Sequence, residues 1–206
     1  MTNSSPQAFL FDFDGVLADT EPLHWRCWRD VLAPEGIDLD WEYYQRECIG
    51  LSEREFLLAL GRRVEPARSL DELWPLYPLK KKQFADGAAS GRVVSGETLE
   101  CLKSIVKLPL AVVTSSVRQE IEPILLKDQV HDLMRACVYG DEVPRLKPAP
   151  DPYRIAMERL GVTEAVVFED SEAGMTSARA AGCRVVQVGH PSELPELVRG
   201  VLAGLG

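Results

Sequence analysis

Two aspartates one residue apart, Asp12 and Asp14, follow the apolar run Phe9-Leu10-Phe11 and stand just before Gly15. A short apolar run bounded in this way reads as a fully buried strand. Carboxylates beside a core are unfavourable unless a cation or another partner compensates them. If the strand continues through them, Asp12 and Asp14 share a face, because alternate residues of a strand point to the same side. Two carboxylates at the C-terminal end of a strand suit a hard cation and proton transfer. Gly15 allows the sharp exit and close backbone approach that a site needs. The plainer use of the same residues is a turn with two solvated acids, so the remaining chemistry has to come from elsewhere in the chain.

The elements that would position such a site can be followed along the chain. Thr20-Glu21-Pro22 signals a helix start, and Pro34 and Gly36 end that helix. From there to about residue 90 the pattern is helical, with capping boxes at Ser52-Glu53-Arg54-Glu55 and Ser69-Leu70-Asp71-Glu72. Lys80-Lys81-Lys82 reads as a solvated helix face, or as a cation offered to an anionic substrate. Gly87 to Gly91 is a return linker. Strands and helices then alternate. Helices are expected over 97–107 and 118–126, the second weakened by Pro123. Strands are expected over 110–114, 135–139, 165–168 and 184–188. A Pro-rich loop over 147–152 leads into a helix capped by Asp151, a further helix covers 171–181, and a short one starts at Ser192. This alternation is the pattern of a parallel sheet covered on both faces, an α/β doubly wound core with an inserted all-helical cap. The core comprises residues 1–19 and 91–206, and the cap 20–90.

In such sheets ligands sit beyond the C-terminal ends of the strands. The residues delivered there are Asp12 and Asp14, then Thr114-Ser115-Ser116, then Lys147, then Glu169-Asp170. Clustered carboxylates repel one another unless a cation sits among them, and oxygen ligands beside a phosphate favour Mg²⁺. Asp12 could then attack phosphorus in line and form an aspartyl-phosphate. Asp14 could protonate the leaving oxygen and later deprotonate a water. Thr114 and the backbone at Ser115 could bind phosphoryl oxygens, while Mg²⁺ and Lys147 neutralise charge.

These stretches resemble the haloacid dehalogenase superfamily, in the β-phosphoglucomutase-like phosphatase subgroup with a helical cap. The matching residues are Asp12-Phe13-Asp14-Gly15-Val16-Leu17 with Asp19, Thr114-Ser115-Ser116, Lys147-Pro148-Ala149-Pro150-Asp151, and Phe168-Glu169-Asp170-Ser171 with Gly174. The resemblance implies a Mg²⁺ bound by Asp12, the Asp14 carbonyl and Asp170, with Glu169 at or beside the metal. It also implies cap and substrate roles for Thr20 and His24. The likeness to the mutases fails in two places. Gly50-Leu51-Ser52 is followed by Glu53 where a mutase has arginine, with Arg54 one place late, and Val117 stands where a mutase has lysine. A hydrolase of a small phosphomonoester, such as a sugar phosphate, is therefore expected over a phosphomutase. A receiver-like signalling module is disfavoured, because its phosphorylated aspartate would end a later strand.

Composition narrows the class further. The chain has 206 residues, 46% of them hydrophobic, enough for one sizeable core and a smaller second unit. Its net charge of −9 argues against a nucleic-acid partner, which calls for a basic face. Five scattered cysteines without a C-x-x-C pair argue against a disulfide framework or a zinc site. Met1 to Pro6 is polar and short, unlike a signal peptide, and no apolar run reaches membrane length. A cytoplasmic protein taking a small phosphorylated molecule is expected, with no membrane partner. The oligomeric state is left open, and a monomer is compatible with the sequence.

Overall fold

The computed structural model describes residues 6–49 and 51–204. Met1–Ser5, from the N-terminal stretch read above as unlike a signal peptide, and Gly50 of Gly50-Leu51-Ser52 lie outside the described residues. The chain divides into two compact units, Met1–Asp19 with Arg92–Gly206, and Thr20–Gly91.

Strand β1 (Phe9–Phe11) opens the first unit. The chain then forms the helical unit. Helix α1 (Glu21–Leu32) has Pro22 in its first turn and ends before Gly36, which turns the chain at φ 75°. Helix α2 (Trp41–Tyr43) starts on the Asp40 carboxylate, which accepts from the Tyr43 N–H, and runs into a π-helical turn, Tyr44–Cys48. Helices α3 (Glu53–Arg63) and α4 (Leu70–Leu73) each begin on a capping box, Ser52 with Glu55 and Ser69 with Glu72. Helix α5 (Tyr77–Ser90) closes the unit. Trp28, Leu32, Leu39, Leu57, Leu60 and Leu73 form its buried centre. Full burial of such side chains stabilises by about 1.5–3 kcal/mol each.

The sheet unit resumes with α6 (Gly96–Ser104), capped by Ser95, and then β2 (Leu110–Val113) and α7 (Arg118–Lys127). Next come β3 (Ala136–Val138), α8 (Asp151–Leu160), β4 (Val166–Glu169), α9 (Glu172–Ala180), β5 (Arg184–Gln187) and α10 (Leu194–Leu202). The strand order is β3-β2-β1-β4-β5 and every pairing is parallel. The inner strands β1, β2 and β4 are buried at every residue, which is why they read as apolar runs, interrupted only by Glu169 at the end of β4. Phe11 lies opposite both Val112 and Phe168, so the ends of the three inner strands line up. Asp12, Thr114, Glu169 and Asp170 follow at that common edge.

The structure corrects several expectations. Strand β1 stops at Phe11 and does not carry Asp12 and Asp14 on one face. The Asp12 N–H still donates to the Phe168 carbonyl at 3.1 Å, extending the ladder by one bond. Beyond it the chain turns back: the Phe13 carbonyl accepts from the N–H groups of Leu17 and Ala18 at 3.0 and 3.1 Å. Ala18 then bridges to Asp14 on one side and to Val94 on the other. The Asp128 carboxylate, buried, accepts from the N–H groups of Val93 and Val94 at 2.7 and 2.8 Å. Asp151 does not cap α8; Pro150 holds that position, and the Asp151 carboxylate is bound by Arg145 at 2.9 Å. The helix expected over 118–126 does form, with Pro123 inside it. Lys80 is buried and is not part of a solvated face.

Candidate active site

Asp12 leaves the end of the central strand almost covered, at 7% exposure. Lys147, from the Pro-rich loop before α8, reaches the same point. Its ammonium donates to Asp12 Oδ1 at 2.5 Å, to Glu169 Oε1 at 2.6 Å and to the Val113 carbonyl at 3.0 Å. Three strand ends therefore meet at one cation. An ammonium has three protons to give, and all three are used. The Asp14 carboxylate accepts from Ser116 Oγ at 3.3 Å, joining the loop after β1 to the loop after β2. Thr114 is buried, and its hydroxyl accepts from the Ser116 N–H at 3.0 Å. Ser115 beside it is exposed. Its carbonyl lies against Gly140, where a Cβ would stand 2.0 Å away.

Glu169, expected at or beside a metal, is engaged by protein groups on both oxygens. It is the last residue of β4 and fully buried. Oε1 accepts from Lys147 and from the Tyr153 hydroxyl, the latter at 2.8 Å, while Oε2 accepts from the N–H and hydroxyl of Ser171 at 3.1 and 3.0 Å. Behind it, a Cβ on Gly174 would stand 1.7 Å from Oε1. The carboxylate is thus held on all sides by the protein. Asp170, the next residue, lies against Gly15. Its Oδ2 lies where a Cβ on Gly15 would stand, 2.1 Å away. Ser171, not Asp170, caps α9, so the Asp170 carboxylate is not used on the helix end.

The charges do not balance among these groups. Asp12, Glu169 and Asp170 each offer an oxygen, and those atoms lie within 4.8 Å of one another. Burial, with the charges of Glu169 and Asp14, pushes the Asp12 carboxyl well above the usual range despite Lys147. Burial works against the charge of Glu169 as well, but Lys147 and its hydrogen bonds outweigh it and hold it low. Burial also opposes the Lys147 ammonium, and Asp12 and Glu169 outweigh it and hold the proton on. Desolvation and the Glu169 charge push the Asp170 carboxyl up to about 6. One ammonium thus serves a cluster that needs more positive charge. A hard divalent ion on all-oxygen donors fits that deficit.

Thr20, His24 and Arg54 belong to the helical unit. Thr20 is buried, and its carbonyl accepts from the N–H groups of Leu23 and His24 as α1 begins. His24 stacks on Phe84 and takes a bond from Lys80 at its Nδ1, 2.7 Å long. Lys80 is also bound by Glu53, which holds the Trp28 indole N–H at 2.8 Å with its other oxygen. The Arg54 guanidinium lies over the Trp74 ring at 5.1 Å. Tyr153, on Glu169, is the site residue that the sequence did not bring out, and the contact of Ser116 with Asp14 was not foreseen either. Ser116 stood in the quoted motif; Tyr153 gave no signal beyond its place in the first turn of a helix.

A model of the haloacid dehalogenase-like hydrolases matches residues 9–188, and the chain belongs to that family. It is an enzyme of the phosphatase kind. The chain is 35% identical over 188 residues to a phosphorylated carbohydrates phosphatase of Thermotoga maritima, covering 89% of this chain and 86% of that protein. It is 33% identical over 198 residues to the protein CbbY of Rhodobacter capsulatus, covering 91% and 86%. Among solved structures, CbbY from Rhodobacter sphaeroides in complex with phosphate superposes with a TM-score of 0.68 at 26% identity, covering 88% of this chain and 86% of that one. Among the described residues, no helix is long and apolar enough to cross a membrane.

Proposed function

We propose that this protein hydrolyses a small phosphomonoester, a sugar phosphate or similar metabolite, through a phosphorylated Asp12. The observation that carries the reading is the Lys147 ammonium shared between Asp12 at 2.5 Å and Glu169 at 2.6 Å. A buried carboxylate held in one orientation by a fixed cation is a positioned nucleophile. An Asp12 oxygen attacks phosphorus in line; the new P–O bond forms as the ester P–O bond breaks. Asp14, aimed by Ser116, gives its proton to the departing alkoxide. Asp14 then takes a proton from water, whose oxygen attacks phosphorus and releases inorganic phosphate and the Asp12 carboxylate. The Thr114 hydroxyl and the Ser115 backbone N–H bind phosphoryl oxygens, and Lys147 offsets their charge. Asp12, the Asp14 carbonyl and Asp170 would hold Mg²⁺, which when bound supplies further neutralisation of phosphate charge. Glu169 has the supporting role of anchoring Lys147.

The carbohydrate part of the reading rests on the relatives, one of them named for phosphorylated carbohydrates. The test is phosphate release from a generic aryl phosphate and then from a panel of sugar phosphates, with magnesium, by the native chain and by Asp12→Asn. Turnover is expected in the native chain and a loss of at least about 10³-fold in the variant. Retained turnover in Asp12→Asn, or interconversion of sugar phosphates without net release of phosphate, overturns the reading.

A further inference from the structure

The Tyr153 side chain is fully buried on the third residue of α8, and nothing in the reaction above uses it. Its ring packs in the cluster of Ala111, Val113, Val167 and Ala178. Its hydroxyl leaves that apolar wall to donate to Glu169 Oε1 at 2.8 Å. Oε1 is the same atom that takes the Lys147 ammonium at 2.6 Å. The ammonium nitrogen also lies 5.1 Å from the centre of the Tyr153 ring, within reach of its negative face. A buried tyrosine needs some hydrogen-bond partner, and satisfaction of the hydroxyl alone would explain a bond to any acceptor. Here the acceptor is the atom that competes with Asp12 for one cation.

We propose that Tyr153 is a positioning residue, which fixes how the Lys147 ammonium is divided between Glu169 and Asp12. The proposal rests on Asp12 being the nucleophile. The division follows from the donor count. Ser171 pins Oε2 with two bonds, and Gly174 leaves no room behind the carboxylate for anything larger than hydrogen. Glu169 therefore cannot turn away, and Tyr153 and Lys147 share the charge on Oε1. With the phenol removed, that charge falls wholly to the ammonium. The ammonium then moves toward Glu169 and away from Asp12, whose orientation loosens. Reaction geometry that drifts by a fraction of an ångström slows the attack while the phosphate-binding groups stay in place.

The test compares Tyr153→Phe, Lys147→Ala and the double variant, each as the full chain with magnesium and an aryl phosphate. Phenylalanine keeps the ring and its packing and removes one oxygen. The expected result is a kcat about ten-fold lower with KM within about two-fold. In the Lys147→Ala background the same change is expected to add nothing, because its target is gone. A second readout needs neither substrate nor metal: the Lys147 ammonium resonance in ¹⁵N-lysine-labelled protein is expected to shift in Tyr153→Phe. The proposal is overturned if kcat stays within about two-fold of native, if the two losses multiply independently, or if the resonance does not move. A Tyr153→Phe chain that does not fold also overturns it, since the hydroxyl then serves the whole fold. Failure of the underlying reading shows separately, as an active Asp12→Asn.

Discussion

The backbone of Gly15 and the carboxylate of Asp170 occupy space that a single methyl group would fill: a Cβ on Gly15 would lie 2.1 Å from Asp170 Oδ2. Gly15 also stands at φ 76°, in the left-handed region where a side chain is strained by roughly 1–2 kcal/mol. Gly15→Ala is therefore expected to displace Asp170 from the acidic cluster. Activity should fall about 10²-fold or more, while circular dichroism still reports a folded chain. A Gly15→Ala enzyme with native kcat would show that Asp170 has no part in the reaction.

Lys147 is expected to matter to the fold and to turnover by separate amounts. Removal of one partner from a buried ion pair destabilises by about 3–5 kcal/mol, because the charge left behind is uncompensated. Glu169, with no exposed surface, is that charge. Lys147→Ala should lower the urea midpoint accordingly and reduce kcat by about 10²–10³-fold. Glu169→Gln in the same chain should recover stability without recovering turnover. Recovery of both would mean that the lysine acts only through the fold.

A divalent ion should stabilise the native chain. At a hundred-fold excess over its dissociation constant, an ion that binds only the folded state adds about 2.7 kcal/mol. Thermal melting with chelator and with magnesium is expected to show a higher midpoint in the second case, and Asp170→Asn should shrink the difference. An equal magnesium shift in Asp170→Asn would place the ion elsewhere.

The helical unit should weaken in mild acid. Burial, and then the neighbouring Lys80 charge, hold the His24 imidazole well below 6.5. Groups packed on it include Lys80 and Phe84, with Glu53 on the far side of the ammonium. The folded chain thus keeps His24 neutral where the unfolded chain takes up a proton. Stability from this group is complete above pH 6.5 and declines as pH falls below it, by up to about 1.4 kcal/mol per unit, until the folded value is reached. Melting of the native chain and of His24→Gln from about pH 7.5 to 5 measures this. The native midpoint should fall more steeply; parallel curves would show that His24 is protonated in the folded state.

How far the sequence could be read depended on what each residue's neighbours were. The parallel sheet was legible because β1, β2 and β4 are buried on both faces and so appear as plain apolar runs. Both capping boxes were legible because their partners lie within four residues. Lys147 and Asp12 were legible as strand-end chemistry, though not their contact across 135 residues. How differently Glu169 and Asp170 are surrounded could not be read from two adjacent acids. The difference lies in Tyr153, Ser171 and Gly174, which enclose only the first. Lys80 was misjudged for another reason. Leu76, Lys80, Phe84 and Ala88 are all buried and recur every four residues, so the lysine sits on the inward stripe. A run of three lysines hid that spacing.

The pairing of Ala18 with Val94, backed by the Asp128 carboxylate on the N–H groups of Val93 and Val94, has a consequence for how the molecule is assembled. The point where the chain departs for Thr20–Gly91 and the point where it comes back are already clasped together inside the sheet unit. A short glycine–serine splice from Asp19 to Arg92 could take the place of the intervening helices without rethreading any strand. By the same token, foreign inserts of other sizes could be grafted at this clasp, with the strand order of the sheet unit left as it is.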